Sequence, residues 1–477
     1  MPVLADQSRQ HAVFERLRTG ILSGALPAGS RLPPSRHLAD EIGVARQTVV
    51  LAYERLAAEG YVRARIGSGT FVATDLPDAV PDAAPAARVA AVPLSRRGAM
   101  IASVPLSTAG PVADNSALLA PGVPASELFP AAAWARCTTR VLRNLAPEAS
   151  AYPNMQGLPV LRAAVAAHLA ATRGLIADPA QIVITAGTQQ ALRVAAELLL
   201  DPGDPAWVEN PGYIAGRGAL SAAGATLVPV PSDAEGLDVA AGIRLAPGAR
   251  LALVAPSHAT PLGGALPIGR RLALLDWAAR AGAWILEDDC DSEFRWEGKP
   301  LPPLASLDRG GRVIYCGTFS KTLAPALRLG FAVLPAPLTA AFVRARGLGD
   351  RGPGTLQQAV LADFIAEGLL GPHIRRMRTE YAKRRAALLA GLARHCPQAV
   401  ALAAPGGLHL VVRLGDGVDE AGVVLAARSR GLAVSPFSAY FNGAARHPGL
   451  VLGFATTPVA MAAEAARRLA AAIRAGG

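Results

Sequence analysis

The order of apolar and polar residues divides the chain into three zones. Up to residue 75, apolar positions recur at helical spacing and then alternate, which predicts a small helical domain ending in a β-hairpin. Residues 76–112 are rich in Ala and Pro without helical periodicity, so we predict a semi-extended linker. From 113 to 477, strand-length apolar runs alternate with helical runs, which predicts an α/β domain around a mainly parallel sheet.

The first zone predicts three helices followed by a hairpin. Ser35 is expected to cap the helix in SRHLADEIGV, and Gly43 to supply the tight turn after it. The next helix, about 45–59, presents its first turn outward, and YVRARIGSGTFV forms a hairpin around Gly67 and Gly69. The positions expected to face the core are Val13, Leu17, Ile21, Leu22, Leu38, Ala39, Ile42, Val49, Ala52, Tyr53 and Leu56.

A helix placed in this way fits the major groove of DNA, where its outward first turn reads the bases. Arg46 suits a guanine edge or a phosphate, and Arg36 suits the backbone. Residues 1–75 carry a net charge of only +2, so charge permits nucleic-acid binding without arguing for it. Protein contacts with solvated arginines are the alternative. The candidate DNA contacts are Arg36, Arg46, Gln47, Thr48, Arg63, Arg65 and Gly69.

The string LPAGSRLPPSRHLADEIGVARQTVVLAYERLAAEGYVRARIGSGTFV resembles the GntR-type winged helix-turn-helix. The resemblance implies a DNA-binding domain at 1–75 whose partner is double-stranded operator DNA.

Lys321, one of three lysines in the chain, lies in GTFSKTLAP directly after a predicted buried strand. A lysine held in a pocket loses its charge easily and attacks aldehydes, and pyridoxal 5′-phosphate (PLP) is the biological aldehyde that uses this. The pyridine nitrogen then needs an acid, and Asp288 ends a buried strand in WILEDDCDSEF. A solvated acidic cluster is the alternative; a metal site is discounted because no His lies in that segment.

The phosphate of such a cofactor needs hydrogen-bond donors, and its ring needs a stacking face. Backbone N–H groups at the start of a helix that follows a strand bind anions well. Tyr213, in ENPGY, is placed to cover the ring, although packing alone would also explain it. The candidate phosphate ligands are Gly187, Thr188, Thr318, Ser320 and Arg328.

These motifs in this order resemble fold-type I aminotransferases, and with the GntR-like head the whole chain resembles MocR/GabR-type transcriptional regulators. The resemblance implies a large part at about 155–345, a small part at about 346–477, and a Schiff base between Lys321 and PLP. It also implies a homodimer with exchanged DNA-binding heads and a small-molecule effector, namely an amino acid, an amine or PLP itself. The implied cofactor contacts are Gly187, Thr188, Gln189, Tyr213, His258, Thr260, Asp288, Cys290, Thr318, Ser320, Lys321 and Arg328.

Three positions depart from the family pattern. Cys290 stands where the family has a tyrosine, and Val451 in LVLGFA stands where an arginine grips an amino-acid carboxylate. Thr260 stands where true aminotransferases have asparagine, so His258 or Thr260 is expected to substitute for it. With Val451, the candidate effectors are a compound without an α-carboxylate, PLP itself, or an amino acid held by another arginine such as Arg217.

We therefore predict a PLP-dependent transcriptional regulator. The alternatives are a working aminotransferase with an appended DNA-binding head and a repressor whose second domain is only structural. The four cysteines form no CxxC pair, so neither a disulfide framework nor a zinc site is expected. No long apolar run and no secretory pattern is present, which favours the cytoplasm.

Overall fold

The computed structural model divides into two compact units, Met1–Pro93 and Leu94–Gly477. Gly67 and most of the predicted linker lie outside the described residues. No helix in the described part of the chain is both long enough and apolar enough to cross a membrane. The structure describes residues 2–65, 68–76, 94–104, 117–144, 152–298, 301–402, 404–445 and 447–476, and no side chains before residue 9.

The first unit is a helix-turn-helix followed by a hairpin, as predicted. Gly43 closes the second helix at a φ of 68°, a left-handed conformation that glycine adopts without strain. The two strands pair antiparallel from Val62 opposite Val72 to Arg65 opposite Gly69. Its elements are α1 (Pro2–Leu22), α2 (Ser35–Ile42), α3 (Arg46–Ala58), β1 (Val62–Arg65) and β2 (Gly69–Val72).

Three details of the first unit differ from the prediction. Ser35 is the first residue of α2, with Pro34 at the cap position, and its hydroxyl lies 3.5 Å from Arg46 Nε. Leu22 is 39% exposed, because neighbouring helix positions point about 100° apart and Ile21 already faces the core. Ile42, in the last turn of α2, is only partly buried.

The second unit is built on an eight-stranded sheet with the strand order β3-β10-β9-β8-β7-β4-β5-β6. The five strands from β9 to β5 are mutually parallel, and β10 runs antiparallel to both of its neighbours. Strands β3, β7 and β8 are buried almost throughout, which explains their continuous apolar runs. The strands are β3 (Ile182–Thr185), β4 (Pro205–Asn210), β5 (Thr226–Asp233), β6 (Gly236–Leu237), β7 (Leu251–Val254), β8 (Trp284–Asp289), β9 (Val313–Thr318) and β10 (Gly330–Val333).

A smaller antiparallel sheet, ordered β11-β12-β14-β13, forms the C-terminal part of this unit. Its strands are β11 (Val400–Ala401), β12 (His409–Arg413), β13 (Ser435–Pro436) and β14 (Gly449–Gly453). The helices of the second unit are α4 (Arg96–Ser103), α5 (Ala131–Arg143), α6 (Pro159–Arg173), α7 (Thr188–Leu199), α8 (Ile214–Ala223), α9 (Val239–Leu245), α10 (Ile268–Ala281), α11 (Ala336–Asp350), α12 (Thr355–Ala366), α13 (Leu370–His395), α14 (Glu420–Arg428) and α15 (Ala462–Gly476).

Helix α4 falls inside the stretch that we predicted as a linker without helix. Ser95 caps it, because its hydroxyl oxygen accepts from the Gly98 N–H at 3.0 Å. A serine before a short run without proline is an N-cap signal, and it marks this helix in the sequence. The prediction of a wholly irregular linker was therefore wrong at residues 96–103.

Candidate functional site

Four chain segments meet at one edge of the large sheet. The parallel neighbours β8 and β9 end there, at Asp289 and Thr318. Because β10 is antiparallel, its first residue, Gly330, lies opposite both Thr318 and Thr185, the last residue of β3. The residues after β3, β8 and β9 and the residues before β10 therefore lie along the same edge, where ligands of such sheets collect.

Lys321 is partly buried in the turn after β9, and its Nζ donates to the carbonyl oxygen of Gly122. Gly122 has a φ of 70°, and a Cβ there would lie 3.2 Å from Lys321 Nζ. Burial is the main influence on the pKa of Asp288 and raises it, whereas the positive charge of Lys321 acts in the opposite direction, as a nearby cation does. The structure therefore brings the predicted amine and the predicted acid to the same edge.

Asp288 is buried, and its Oδ1 atom has no hydrogen-bond partner among the described residues. Burial, and after it the charges of Asp291 and Asp289, raise its pKa to about 7 against the influence of Lys321. A buried carboxyl loses hydration when it ionises, so its ionised form is stabilised when a cation lies beside it. A protonated pyridine nitrogen is such a cation.

An anion cradle lies at the start of α7. Gly187 has a φ of 105°, and a Cβ there would lie 3.6 Å from Arg328 Nη1, so the guanidinium lies beside the helix N-terminus. Thr188 Oγ1 is buried without a partner in the described part of the chain. The hydroxyls of Thr318 and Ser320 bond each other at 3.0 Å. Backbone N–H groups, hydroxyls and a guanidinium are the donors that a phosphate requires.

Tyr213 directly precedes α8, is partly buried and lines a small cavity together with Asp288. Burial raises the pKa of its phenol, and the nearby charge of Asp288 raises it further. The Cys290 thiol has a pKa well above its usual value for the same reasons, burial first and then Asp288. Gln189 Nε2 donates to the Ala215 carbonyl at 2.8 Å, which holds its side chain toward α8.

His258 packs against His409, with the two ring centroids 5.3 Å apart. Burial lowers its pKa to about 4, so the ring is neutral at pH 7. Potential metal-ligating atoms of His258, His409 and Asp291 all lie within 4.8 Å of one another. We discounted metal because no histidine lies in the acidic segment, and that reason was wrong, since folding brings two histidines to it. Thr260, two residues on, is partly buried.

Two buried features of this edge escaped the sequence analysis. Glu209, which we did not predict as a site residue, is the last residue but one of β4. Among the described residues, only the Ala255 N–H donates to its carboxyl, at 3.3 Å. Burial raises the pKa of Glu209 to about 8. The side chains of Arg173 and Asp289 form a buried ion pair at 2.9 Å. The sequence signal for Glu209 was a carboxylate after the apolar run PAWV, directly before NPGY.

In the first unit, Arg36, Arg46 and Gln47 are exposed on α2 and α3. Thr48 is only 4% exposed, which contradicts its predicted outward position. Thr48 lies four residues before Ala52, so it shares the buried face of α3 with Ala52 and with its neighbour Val49.

The predicted wing residues lie on the hairpin. Arg63 is exposed and pairs with Asp75 at 2.6 Å, and the Arg65 guanidinium lies 5.0 Å from the Phe71 ring. Gly69 has a φ of 106°, and a Cβ there would lie 2.8 Å from Arg31 Nε. Arg31, which we did not predict, therefore approaches the hairpin turn.

The residues at the sheet edge fit pyridoxal 5′-phosphate. Its aldehyde, its pyridine nitrogen and its phosphate need an amine, an acid and an anion cradle. The edge presents Lys321, the carboxyl of Asp288, whose Oδ1 has no partner in the described part of the chain, and the donors around Gly187. The orphaned buried oxygens of Asp288 and Thr188 are atoms that a bound ligand would satisfy.

Comparison with known families agrees with both units. Residues 9–72 match the model of bacterial regulatory proteins of the gntR family, and residues 119–469 match that of aminotransferases of class I and II. The α-aminoadipate aminotransferase LysN of Thermus thermophilus, complexed with N-(5′-phosphopyridoxyl)-L-leucine, shares 29% identity at a TM-score of 0.73, covering 80% of this chain and 97% of that one. The fold is that of a PLP-dependent aminotransferase joined to a helix-turn-helix head, and PLP is its cofactor.

The relatives that match along nearly the whole chain include transcriptional regulators. The probable rhizopine catabolism regulatory protein MocR of Rhizobium meliloti is 40% identical over 94% of this chain and 91% of its own length. The pyridoxine biosynthesis transcriptional regulator PdxR of Corynebacterium glutamicum is 34% identical over 92% and 90%. The 2-aminoadipate transaminase of Thermus thermophilus is 31% identical over 74% of this chain and 89% of its own length. The chain belongs to the MocR-type, GntR-family transcriptional regulators.

Proposed function

We propose that this regulator senses a small molecule at Lys321 and converts its binding into a change in operator affinity. One observation carries the proposal: Lys321, the unpartnered carboxyl of Asp288 and the donors around Gly187 lie along one sheet edge. When bound there, PLP supplies an aldehyde that condenses with primary amines.

The side chains of this edge have distinct roles in the proposal. Lys321 Nζ is the resident amine, which an incoming amine replaces. Asp288 holds the proton on the pyridine nitrogen, because a carboxylate beside a cation is stabilised in a buried site. Arg328 and the donors of Gly187, Thr188, Gln189, Thr318 and Ser320 hold the phosphate, and Tyr213 covers the ring. His258, Thr260 and Cys290 line the rest of the site, and the neutral thiol of Cys290 supplies no negative charge there.

The DNA contacts are assigned to the first unit. We propose that Arg46 and Gln47 read bases from the first turn of α3 and that Arg36 contacts phosphate. Arg63, Arg65 and Gly69 of the hairpin approach the minor groove. The exposure of these arginines supports the assignment. Thr48 is left out, since its side chain is buried.

We further propose a head at 1–75, a linker at 76–112 and an aminotransferase-like domain at 113–477, with its large part at about 155–345 and its small part at about 346–477. The matched family ranges, 9–72 and 119–469, support this division. We also propose a cytoplasmic homodimer with exchanged heads, because two heads suit a two-part operator and operator DNA lies in the cytoplasm.

The proposal is tested by measuring the affinity of the PLP-loaded chain for DNA upstream of its own gene, with and without added primary amines. We expect an amine to shift the affinity of the wild type and to leave that of Lys321→Ala unchanged, while both proteins bind the DNA. An equal shift in both would contradict sensing at Lys321. Steady turnover of an amino acid with a keto acid would favour the aminotransferase alternative.

A further inference from the structure

We infer that the effector is a primary amine with no carboxylate on the carbon next to its nitrogen. The inference rests on the proposed function, since it concerns the amine that replaces Lys321. In that exchange one carbon–nitrogen double bond forms as another breaks. Two hydrogens pass from the incoming nitrogen to Lys321 Nζ, so the step needs neither oxidant nor reductant.

An α-carboxylate would have to be accommodated close to Lys321. It is only two bonds from the amine nitrogen, so its oxygens would lie within a few ångströms of the place where Lys321 Nζ acts. A carboxylate at a partly buried position loses hydration, and this loss is compensated only by a cation or by several hydrogen-bond donors. The side chains that face this region therefore decide whether a carboxylate can bind there.

One wall of the region is apolar where Val451 lies. Val451 is 1% exposed and belongs to a buried cluster with Ile214, Val411, Phe437 and Tyr440. Ile214 directly follows Tyr213, and the N–H of Gly212, on the other side of Tyr213, donates to the Tyr440 carbonyl at 2.9 Å. The cluster is therefore next to the tyrosine that we expect to cover the cofactor ring.

Strand β14 connects Val451 with the segment that contacts Lys321. Gly453 and Val451 point to the same face of the strand, because side chains alternate with a period of two. The Gly453 N–H donates to the Leu119 carbonyl, and a Cβ on Gly453 would collide with the Ala120 carbonyl. Two residues later, the Gly122 carbonyl accepts from Lys321.

Two arginines near Tyr213, Arg217 and Arg328, are already engaged elsewhere. Arg217 donates to the carbonyls of Tyr440 and Ala439, each at 2.9 Å, so its guanidinium braces the main chain behind the apolar cluster. Arg328 lies beside Gly187 at the anion cradle. Neither is free to form a bidentate pair with a carboxylate beside Lys321, which removes Arg217 from the candidate carboxylate ligands.

We therefore expect a measurable difference in affinity between an amine and the matching amino acid. An amine without the carboxylate lays a neutral carbon chain against the cluster, whereas an amino acid of the same side chain buries an unpaired charge. A charge-assisted bidentate pair is worth about 1.5–3 kcal/mol, so we expect the amine to bind about tenfold or more tightly than the matching amino acid.

The test titrates the full-length, PLP-loaded protein with matched pairs: cadaverine and lysine, phenethylamine and phenylalanine, ethanolamine and serine. The visible absorption band and the heat of binding are followed together, and turnover is not needed. We expect the amine of at least one pair to bind about tenfold more tightly than its amino acid. Equal or tighter binding of the amino acid in every pair that responds would overturn the inference while leaving amine sensing intact.

The substitution Val451→Arg sharpens the test. An arginine at 451 should tighten the binding of the amino acids about tenfold and should not tighten the binding of the amines. Val451→Thr, which keeps the size of the side chain without adding charge, is the matched control and should keep the wild-type ratio within about twofold. If Val451→Arg does not fold, the titration of the wild-type protein with the matched amines and amino acids still tests the inference.

The two hypotheses fail in different ways. If no primary amine of either kind changes the band or the operator affinity, the proposed sensing at Lys321 is wrong, and this inference is wrong with it. If amino acids are preferred, only the inference about the carboxylate is wrong. A preference for amines in the wild type that reverses in Val451→Arg is the expected result.

Discussion

The two units place their charged groups in opposite ways. In the head, the arginines of α2 and α3 are exposed around a core of apolar side chains. In the second unit, Glu209, Asp288 and Glu287 are buried at strand ends, and burial raises the pKa of each. Exposed cations suit the recognition of a large polyanion such as DNA, whereas a buried acid such as Asp288, whose Oδ1 has no partner among the described residues, suits the capture of a small cation. Substitutions should therefore act on different measurements in the two units.

The largest effect is expected for Asp288→Asn. Removing one member of a buried charge pair costs about 2–5 kcal/mol, so the affinity for PLP should fall about thirtyfold or more. A fluorescence titration of the PLP-free protein measures this. Asp276→Asn on α10, where the carboxylate is exposed, is the control and should leave PLP affinity unchanged. Unchanged affinity in Asp288→Asn would contradict the assigned role.

The next effect is expected in the head. Arg46→Ala should weaken specific operator binding by about 1–3 kcal/mol if Arg46 reads a base, with no loss of PLP. Arg16→Ala, which removes an exposed arginine from α1 instead, is the matched control. A gel-shift or anisotropy titration at fixed salt separates the two. An equal loss in both variants would assign the effect to general charge rather than to base reading.

A smaller effect is expected for Glu209→Gln and depends on pH. The folded chain keeps a proton on Glu209 up to a pKa of about 8, while the unfolded chain loses it near 4.5. The unfolded state therefore binds fewer protons between these values, and this group makes the wild type less stable as pH rises through that window. We expect Glu209→Gln to match the wild type at pH 4 and to exceed it by about 1–2 kcal/mol at pH 8.

Denaturant unfolding of the PLP-free protein at the two pH values checks this prediction. Asp288 titrates in both proteins, so its own slope is common to them, while its charge is part of what raises the pKa of Glu209 in the wild type. A gap between the variants that does not change with pH would show that Glu209 is not held protonated.

The sequence predicted more of the head than of the site. The helix-turn-helix depends on local signals, such as Gly43 and the apolar spacing of α3, and it was confirmed. Thr48 was misplaced because we assigned the whole first turn of α3 to the outward face, although Thr48 stands four residues before the buried Ala52 and therefore shares its face. In the second unit, strand ends located Lys321 and Asp288, since parallel strands bring their carboxyl ends together.

Other features of the site have no local signature. Gly122, which accepts from Lys321, is 199 residues away from it, and His409 reaches Asp291 from the small sheet. Such contacts depend on how the elements pack, which spacing along the chain does not encode. The same holds for Arg217, whose two carbonyl partners come from the loop after β13.

The capture of PLP by Lys321 is tested most directly by reducing the purified, PLP-loaded protein with borohydride and mapping the phosphopyridoxyl label by peptide mass spectrometry. The chain has three lysines, so the outcome is unambiguous. We predict a single label on Lys321 and a colourless, unlabelled Lys321→Ala protein. A label on Lys299 or Lys383, or a visible band that persists in Lys321→Ala, would contradict the account.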